Sequence, residues 1–135
     1  MSPVRRLAIG SVAVLFAACE GQEPIGPTPP DEGVIVYIHA NFVGTSQQIN
    51  QDVPNLQNVE GPCVVGDENG STATWNDCIS SVRVLPGWQV TLYKDRDFRG
   101  PSLGTTEDIL DLRRRYGPCD GSFNDCVTSM RVSKR

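Results

Sequence analysis

The sequence predicts an all-β domain built from two copies of one unit, on three observations. Residues 79–84, 90–93 and 127–132 alternate with a period of two and are rich in β-branched side chains, the pattern of half-buried strands. Glycine and proline, 13 and 10 of 135 residues, punctuate the stretches between them, which suits short strands joined by turns in a sandwich or barrel. The chain also aligns with itself, a first copy running from about 34 to 86 and a second from about 88 to 135.

The two copies share their anchors in order. The first opens Val36-Tyr37-Ile38-His39-Ala40-Asn41-Phe42-Val43-Gly44, and the second Leu92-Tyr93-Lys94-Asp95-Arg96-Asp97-Phe98-Arg99-Gly100, with Tyr, Phe and Gly in the same places. Gly-Pro-Cys follows in each, at Gly61-Pro62-Cys63 and Gly117-Pro118-Cys119. Each copy closes on an aromatic and Asn-Asp-Cys: Trp75-Asn76-Asp77-Cys78-Ile79-Ser80-Ser81 and Phe123-Asn124-Asp125-Cys126-Val127-Thr128-Ser129. So many ordered anchors mark an internal duplication. The one helix-like stretch is 107–116 in the second copy, where Ile109, Leu110 and Leu112 form an apolar stripe, and a turn or two of helix is expected there.

Residues 1–18 read as a secretory signal. Arg5 and Arg6 precede a run that is apolar or small except for Ser11, too short to span a bilayer. Leu15-Phe16-Ala17-Ala18-Cys19 resembles a bacterial lipobox, with Cys19 the residue to be lipidated. Phe16 departs from the usual aliphatic residue, which leaves ordinary signal cleavage as the alternative. Glu20 in place of an inner-membrane retention Asp implies an outer-membrane or cell-surface lipoprotein, and several acyl chains on one Cys would anchor it firmly. Residues 19–33, with Pro24, Pro27, Pro29 and Pro30 and little to bury, form a tether between the anchor and a domain at 34–135. Without Arg5 and Arg6 the chain keeps ten basic residues against sixteen acidic, a net charge near −6. Such a surface favours cations and disfavours nucleic acid, for which no basic patch with interleaved aromatics is present.

The remaining cysteines fall one pair per copy in a chain bound for an oxidising compartment. Pairing Cys63 with Cys78 and Cys119 with Cys126 gives each copy its own staple, and chain entropy puts such short loops at roughly 2.5–3 kcal/mol each. Zinc is the competing use of four cysteines, but the spacings lack Cys-x-x-Cys knuckles.

The Tyr-x-x-x-x-Phe-x-Gly runs at Tyr37/Phe42/Gly44 and Tyr93/Phe98/Gly100, followed by Asn-Asp-x-x-Ser/Thr-Ser at 76–81 and 124–129, resemble the βγ-crystallin superfamily in its microbial calcium-binding type. The resemblance covers essentially all of 34–135 and implies two Greek-key motifs packed as a sandwich. It implies that Tyr37 packs with Phe42 and Tyr93 with Phe98, that Gly44 and Gly100 turn the hairpins, and that Ser81 and Ser129 hydrogen-bond them. It further implies two Ca2+ sites between the motifs, each joining a hydroxyl and a carbonyl of one signature to the carboxylate of the other. Asp77 and Asp125 are the carboxylates and Ser80 and Thr128 the hydroxyls. The backbone carbonyls are those of Cys78 and Cys126 and, after the hairpin tyrosines, Ile38 and Lys94. Calcium takes six to eight oxygens in flexible geometry, so carbonyls and water complete such a set. A cysteine at the third signature position departs from the usual pattern and is expected to pre-shape the ligand loop.

The bland reading is that Asn-Asp and Ser-Ser serve only turns and caps; duplication with matched hairpins outweighs it. His39 lacks an evident nucleophile, and Glu107, Asp108 and Asp111 lie on a short connection, so no enzyme is expected. Arg113, Arg114 and Arg115 read as a solvated helix end, and Trp75 and Trp88 as packing residues. Two non-enzymatic alternatives stand beside calcium binding. One is a secreted peptidase inhibitor of crystallin-like fold using the insert at 64–74, where the second copy has only Asp120-Gly121-Ser122. The other is a structural or adhesive surface module. The sequence carries no signal for a particular protein partner.

Overall fold

A computed structural model describes residues 31–65 and 72–135. The signal segment, Cys19, most of the tether and residues 66–71 of the insert lie outside the described residues. Among the described residues there are nine strands: β1 (Val34–His39), β2 (Val43–Ile49), β3 (Glu60–Val65), β4 (Thr72–Thr74), β5 (Ser81–Val84), β6 (Trp88–Asp95), β7 (Arg99–Thr105), β8 (Tyr116–Cys119) and β9 (Ser129–Lys134); all but β8, which only bridges Ser122, pair in antiparallel sheets. One three-stranded sheet has the order β2-β1-β5, its counterpart β7-β6-β9, and β3 pairs with β4.

Alternation decides which face each strand buries. In β1 and β6, Val34, Val36, Trp88, Val90 and Leu92 point inward, and β5 and β9 add Val82, Val84, Met130 and Val132. The inner faces close on Trp75, Leu56, Ile79, Leu112, Phe123 and Val127, which gives one continuous core. Both sheets are then extended by the other copy. Val53 exchanges backbone hydrogen bonds with Met130 of β9 at 2.9 and 3.0 Å, and Ile109 with Val82 of β5 at 2.8 and 2.9 Å. Asp52 Oδ1 accepts from Val132 N–H (2.9 Å), and Asp108 Oδ1 from Val84 N–H (2.7 Å), at equivalent places.

That exchange corrects the helix expected at 107–116. Only a 3-10 turn forms, at Leu112–Arg114, and the first copy has its match at Leu56–Asn58. The peptide groups of Ile109 are spent on Val82 and the N–H of Leu112 on Ser80, so no run of helical bonds can start. Ile109 and Leu112 are buried while Leu110 is 57% exposed, so the three do not share a face.

Each opening hairpin folds back through left-handed residues: Asn41, Phe42 and Gly44 at φ 61°, 60° and 87°, and Asp97, Phe98 and Gly100 at 59°, 59° and 78°. The buried Ser81 Oγ accepts from Phe42 N–H (3.1 Å) and donates to His39 O (2.6 Å). Ser129 Oγ accepts from Phe98 N–H (3.0 Å) and donates to Asp95 O (2.5 Å). Tyr37 packs on Phe42 with ring centroids 5.4 Å apart, and Tyr93 on Phe98 at 5.8 Å. Arg83 and Arg131 lie over the two Phe rings at 4.4 and 4.1 Å.

Ser81→Ala and Ser129→Ala each strand a peptide N–H without its acceptor. Each is expected to cost roughly 1–3 kcal/mol, a fall in Tm on the order of 5–20 °C in thermal unfolding.

Candidate metal centre

The two signature loops run past each other across the interface between copies. Asn76 N–H donates to Thr74 Oγ1 (3.2 Å) and Asn76 Nδ2 to Asp77 Oδ2 (3.0 Å); Asn124 N–H donates to Ser122 Oγ (3.3 Å) and Nδ2 to Asp125 Oδ2 (2.9 Å). Each Asn thus holds the next carboxylate by its donor end, while its own Oδ1 is buried with no partner among the described residues. Asp77 and Asp125 stand in the left-handed region at φ 51° and 49°. Their peptide groups reach across the interface, Asp77 N–H to Val127 O and Asp125 N–H to Ile79 O, both 3.1 Å.

The hydroxyl residues are clamped on both sides. Ser80 N–H donates to Tyr37 O (2.9 Å) and Ser80 O accepts from Leu112 N–H (2.9 Å); Thr128 N–H donates to Tyr93 O (2.9 Å) and Thr128 O accepts from Leu56 N–H (2.7 Å). This brings Ser80 Oγ to 3.4 Å from Asp125 Oδ1 and Thr128 Oγ1 to 3.5 Å from Asp77 Oδ1. Both separations are long for a hydroxyl–carboxylate bond, ordinarily about 2.5–3.0 Å. They match two oxygens sharing one calcium ion: ligands at about 2.4 Å and near right angles lie roughly 3.4 Å apart.

The carbonyl candidates divide into two kinds. Ile38 and Lys94 are the residues skipped by the sheet register, which shifts between Tyr37 and His39 in β1 and between Tyr93 and Asp95 in β6. The extra residue of each irregularity lies on the partner strand, where Gly44 and Thr45 together face Ile38 and Gly100 and Pro101 face Lys94, so the regular ladder is interrupted at both candidate carbonyls. Cys78 and Cys126 are buried in the signature loops, next to the carboxylates. Their thiols are in disulfides, Cys63–Cys78 and Cys119–Cys126, with Cα atoms 6.0 and 5.9 Å apart, which removes the thiolates a zinc site would need and suits an oxidising, extracytoplasmic setting. Among the described residues no group of three or more His, Cys, Asp or Glu gathers to hold a metal. The candidate centres bring one carboxylate each, and the rest of the donor set is hydroxyl and carbonyl oxygen.

Electrostatics distinguish the two centres. Asp77 is exposed at its outer edge, yet protein around its carboxyl desolvates it and pushes its pKa above the ordinary 3.8. The Asn76 amide, the Lys94 ammonium and the Thr128 hydroxyl oppose that rise, and the Asp125 charge adds to it. Ser80 opens on a shallow cavity of about 370 Å³, shared with His39, Arg113 and Asn124, which leaves room for water beside the Asp125–Ser80 pair. Arg113 is committed elsewhere: its Nε and Nη2 donate to Asp111 at 2.9 and 2.8 Å, and these hydrogen bonds hold the Asp111 carboxyl below the usual range.

Sequence reasoning missed Arg83 and Arg131, which cap the hairpin rings, and Asp52 and Asp108, which cap strands of the opposite copy. All four recur at equivalent positions of the duplication, and that recurrence was the available signal.

The family described as peptidase inhibitor family I36 matches residues 30–105. Spherulin-3A of Physarum polycephalum is 27% identical over 120 residues, covering 87% of this chain and 95% of that protein. A structure solved in work on the evolution of the eye lens βγ-crystallin domain fold superposes with a TM-score of 0.60 at 27% identity, covering 82% of this chain and 94% of that one. A βγ-crystallin domain from Flavobacterium johnsoniae gives 0.55 at 29%, with 76% and 94% covered. The chain has a βγ-crystallin-type fold and belongs to peptidase inhibitor family I36.

Proposed function

We propose that this domain is a non-enzymatic, exported calcium-binding module that holds two Ca2+ ions between its paired motifs. The observation that carries the reading is the crossed pairing of Asp125 with Ser80 and Asp77 with Thr128, at 3.4 and 3.5 Å, each hydroxyl anchored through both of its peptide groups. Carbonyls of Ile38, Lys94, Cys78 and Cys126 and solvent would fill the remaining positions. In the same reading Cys19 carries the lipid that attaches the chain to a membrane, and residues 19–33 hold the domain away from it.

Calorimetric titration of the protein is expected to show two sites with Kd on the order of 0.1–1 mM, the range of extracellular modules. Asp77→Ala should remove the centre with Thr128 and Asp125→Ala the centre with Ser80, each leaving the other measurable. At 1 mM calcium and a Kd of about 0.1 mM, one site adds roughly 1.4 kcal/mol of stability. No heat and no melting shift at millimolar calcium would sink the proposal.

The raised pKa of Asp77 sets a pH dependence. Without calcium, the folded state binds the Asp77 proton more tightly than the unfolded chain does. Stability therefore falls as pH rises from 3.8 through the folded value. Calcium needs the carboxylate, so the Asp77–Thr128 centre loses affinity as pH falls through that same window. Thermal unfolding in chelator across this range should show the slope in the wild type and flatten it in Asp77→Asn.

A second reading, peptidase inhibition, is supported by the family match, whose span of 30–105 includes the insert at 64–74. Secreted peptidases assayed with the protein, and with a variant whose insert is shortened to the Asp-Gly-Ser of the second copy, are the test. Inhibition by the first and not the second is expected if the insert is the contact.

A further inference from the structure

We infer that the two disulfides position the carboxylate ligands, one staple for each centre, so that calcium binding and thiol oxidation are thermodynamically linked; this rests on the calcium reading above. The hydroxyl and carboxylate of a centre are held by different means. Ser80 and Thr128 are fixed through both peptide groups by neighbouring strands and turns, independently of any cysteine. Asp77 and Asp125 each have a single backbone bond to the opposite signature loop, to Val127 and Ile79, and a left-handed φ that side-chain-bearing residues avoid. The residue immediately after each is a buried half-cystine.

The other end of each staple follows closely packed backbone. Cys63 and Cys119 follow Gly61-Pro62 and Gly117-Pro118, where the backbone runs hard against the chain leading into the signature loop. A Cβ on Gly61 would lie 2.6 Å from Thr74 C and 2.7 Å from Trp75 N, and one on Gly117 would lie 2.6 Å from Ser122 C. A covalent tie therefore joins the carboxylate's neighbour to a closely packed strand. Without the tie, the Asp can relax to a commoner conformation and carry its carboxylate from the hydroxyl, which stays where the sheets hold it. The larger loss falls on the centre whose carboxylate is freed: Cys119–Cys126 holds Asp125 of the Asp125–Ser80 centre and Cys63–Cys78 holds Asp77 of the Asp77–Thr128 centre, while each signature half-cystine lends only its backbone carbonyl to the opposite centre.

Linkage makes the effect reciprocal. A dithiol such as dithiothreitol attacks the sulfur of Cys63 or Cys119, the less buried residue of each pair, and forms a mixed disulfide, releasing the buried Cys78 or Cys126 as a thiol. The reagent's second thiol then closes its own ring, leaving two protein thiols and the oxidised reagent. If the staple tightens calcium binding, bound calcium must oppose this reduction by the same factor.

The test isolates one centre with Asp77→Ala and titrates calcium after adding either Cys119→Ser/Cys126→Ser or Cys63→Ser/Cys78→Ser, with near-UV circular dichroism reporting the fold. The first pair should weaken the remaining Asp125–Ser80 centre on the order of tenfold, and the second by only about threefold, because it loosens the Cys78 carbonyl of that centre and leaves Asp125 tied. Equal losses, or none, overturn the inference. Should a variant fail to fold, the wild type serves: saturating calcium should raise the dithiothreitol needed for half-reduction on the order of tenfold, and no shift overturns it. Absence of calcium binding by the oxidised wild type fails at an earlier step and overturns the calcium reading itself.

Discussion

Two short backbone pairings, Val53 with Met130 and Val82 with Ile109, carry each copy's chain into the sheet of the other, and the remaining architecture depends on them. Three residues beyond each pairing, Leu56 and Leu112 donate to the carbonyls of Thr128 and Ser80. The same crossing therefore builds the core and fixes the two hydroxyls. Neither copy has its sheet edge or its hydroxyl clamp without the other, so the candidate ion sites belong to the pair. A long-range contact of this kind is slow to form, but once formed it ties folding and site geometry into one cooperative event.

The anchors legible in the sequence are those where only one residue type does the work. Gly44 and Gly100 accept a left-handed φ cheaply, the Tyr–Phe pairs supply rings that pack at an angle, and Ser81 and Ser129 are small enough to be buried while bridging a peptide N–H and a carbonyl. Appearing twice in the same order, they disclosed the architecture. The exchange at Val53 and Ile109 was not legible, because pairing with a distant strand leaves no local period. Ile109, Leu110 and Leu112 fit a helical stripe as well as an extended segment with one residue turned out. Tertiary hydrogen bonding chose the second. The carboxylates and hydroxyls of the candidate centres were readable as residue types, whereas carbonyl donors leave almost no trace. Ile38 and Lys94 stand out only when the break in sheet register opposite each is seen.

The duplication is close in backbone and looser in charge. Where Ile38 stands in one copy, Lys94 stands in the other, and its ammonium lowers the desolvation-raised pKa of Asp77. Where Gln57 follows Leu56 in the first copy, Arg113 follows Leu112 in the second, its guanidinium locked on Asp111 beside the cavity that reaches Ser80. The two candidate centres, with one backbone plan, thus sit in different fields.

The staples close rings of different size, with sequence separations of 15 and 7, yet their Cα atoms stand 6.0 and 5.9 Å apart. A covalent neck of constant width insulates whatever is spliced into the ring from the chemistry at its foot. The insert within the first ring can therefore lengthen or shorten while Asp77 keeps its place. A family working on this scaffold has a position where new surface can be tried at little risk to the fold beneath.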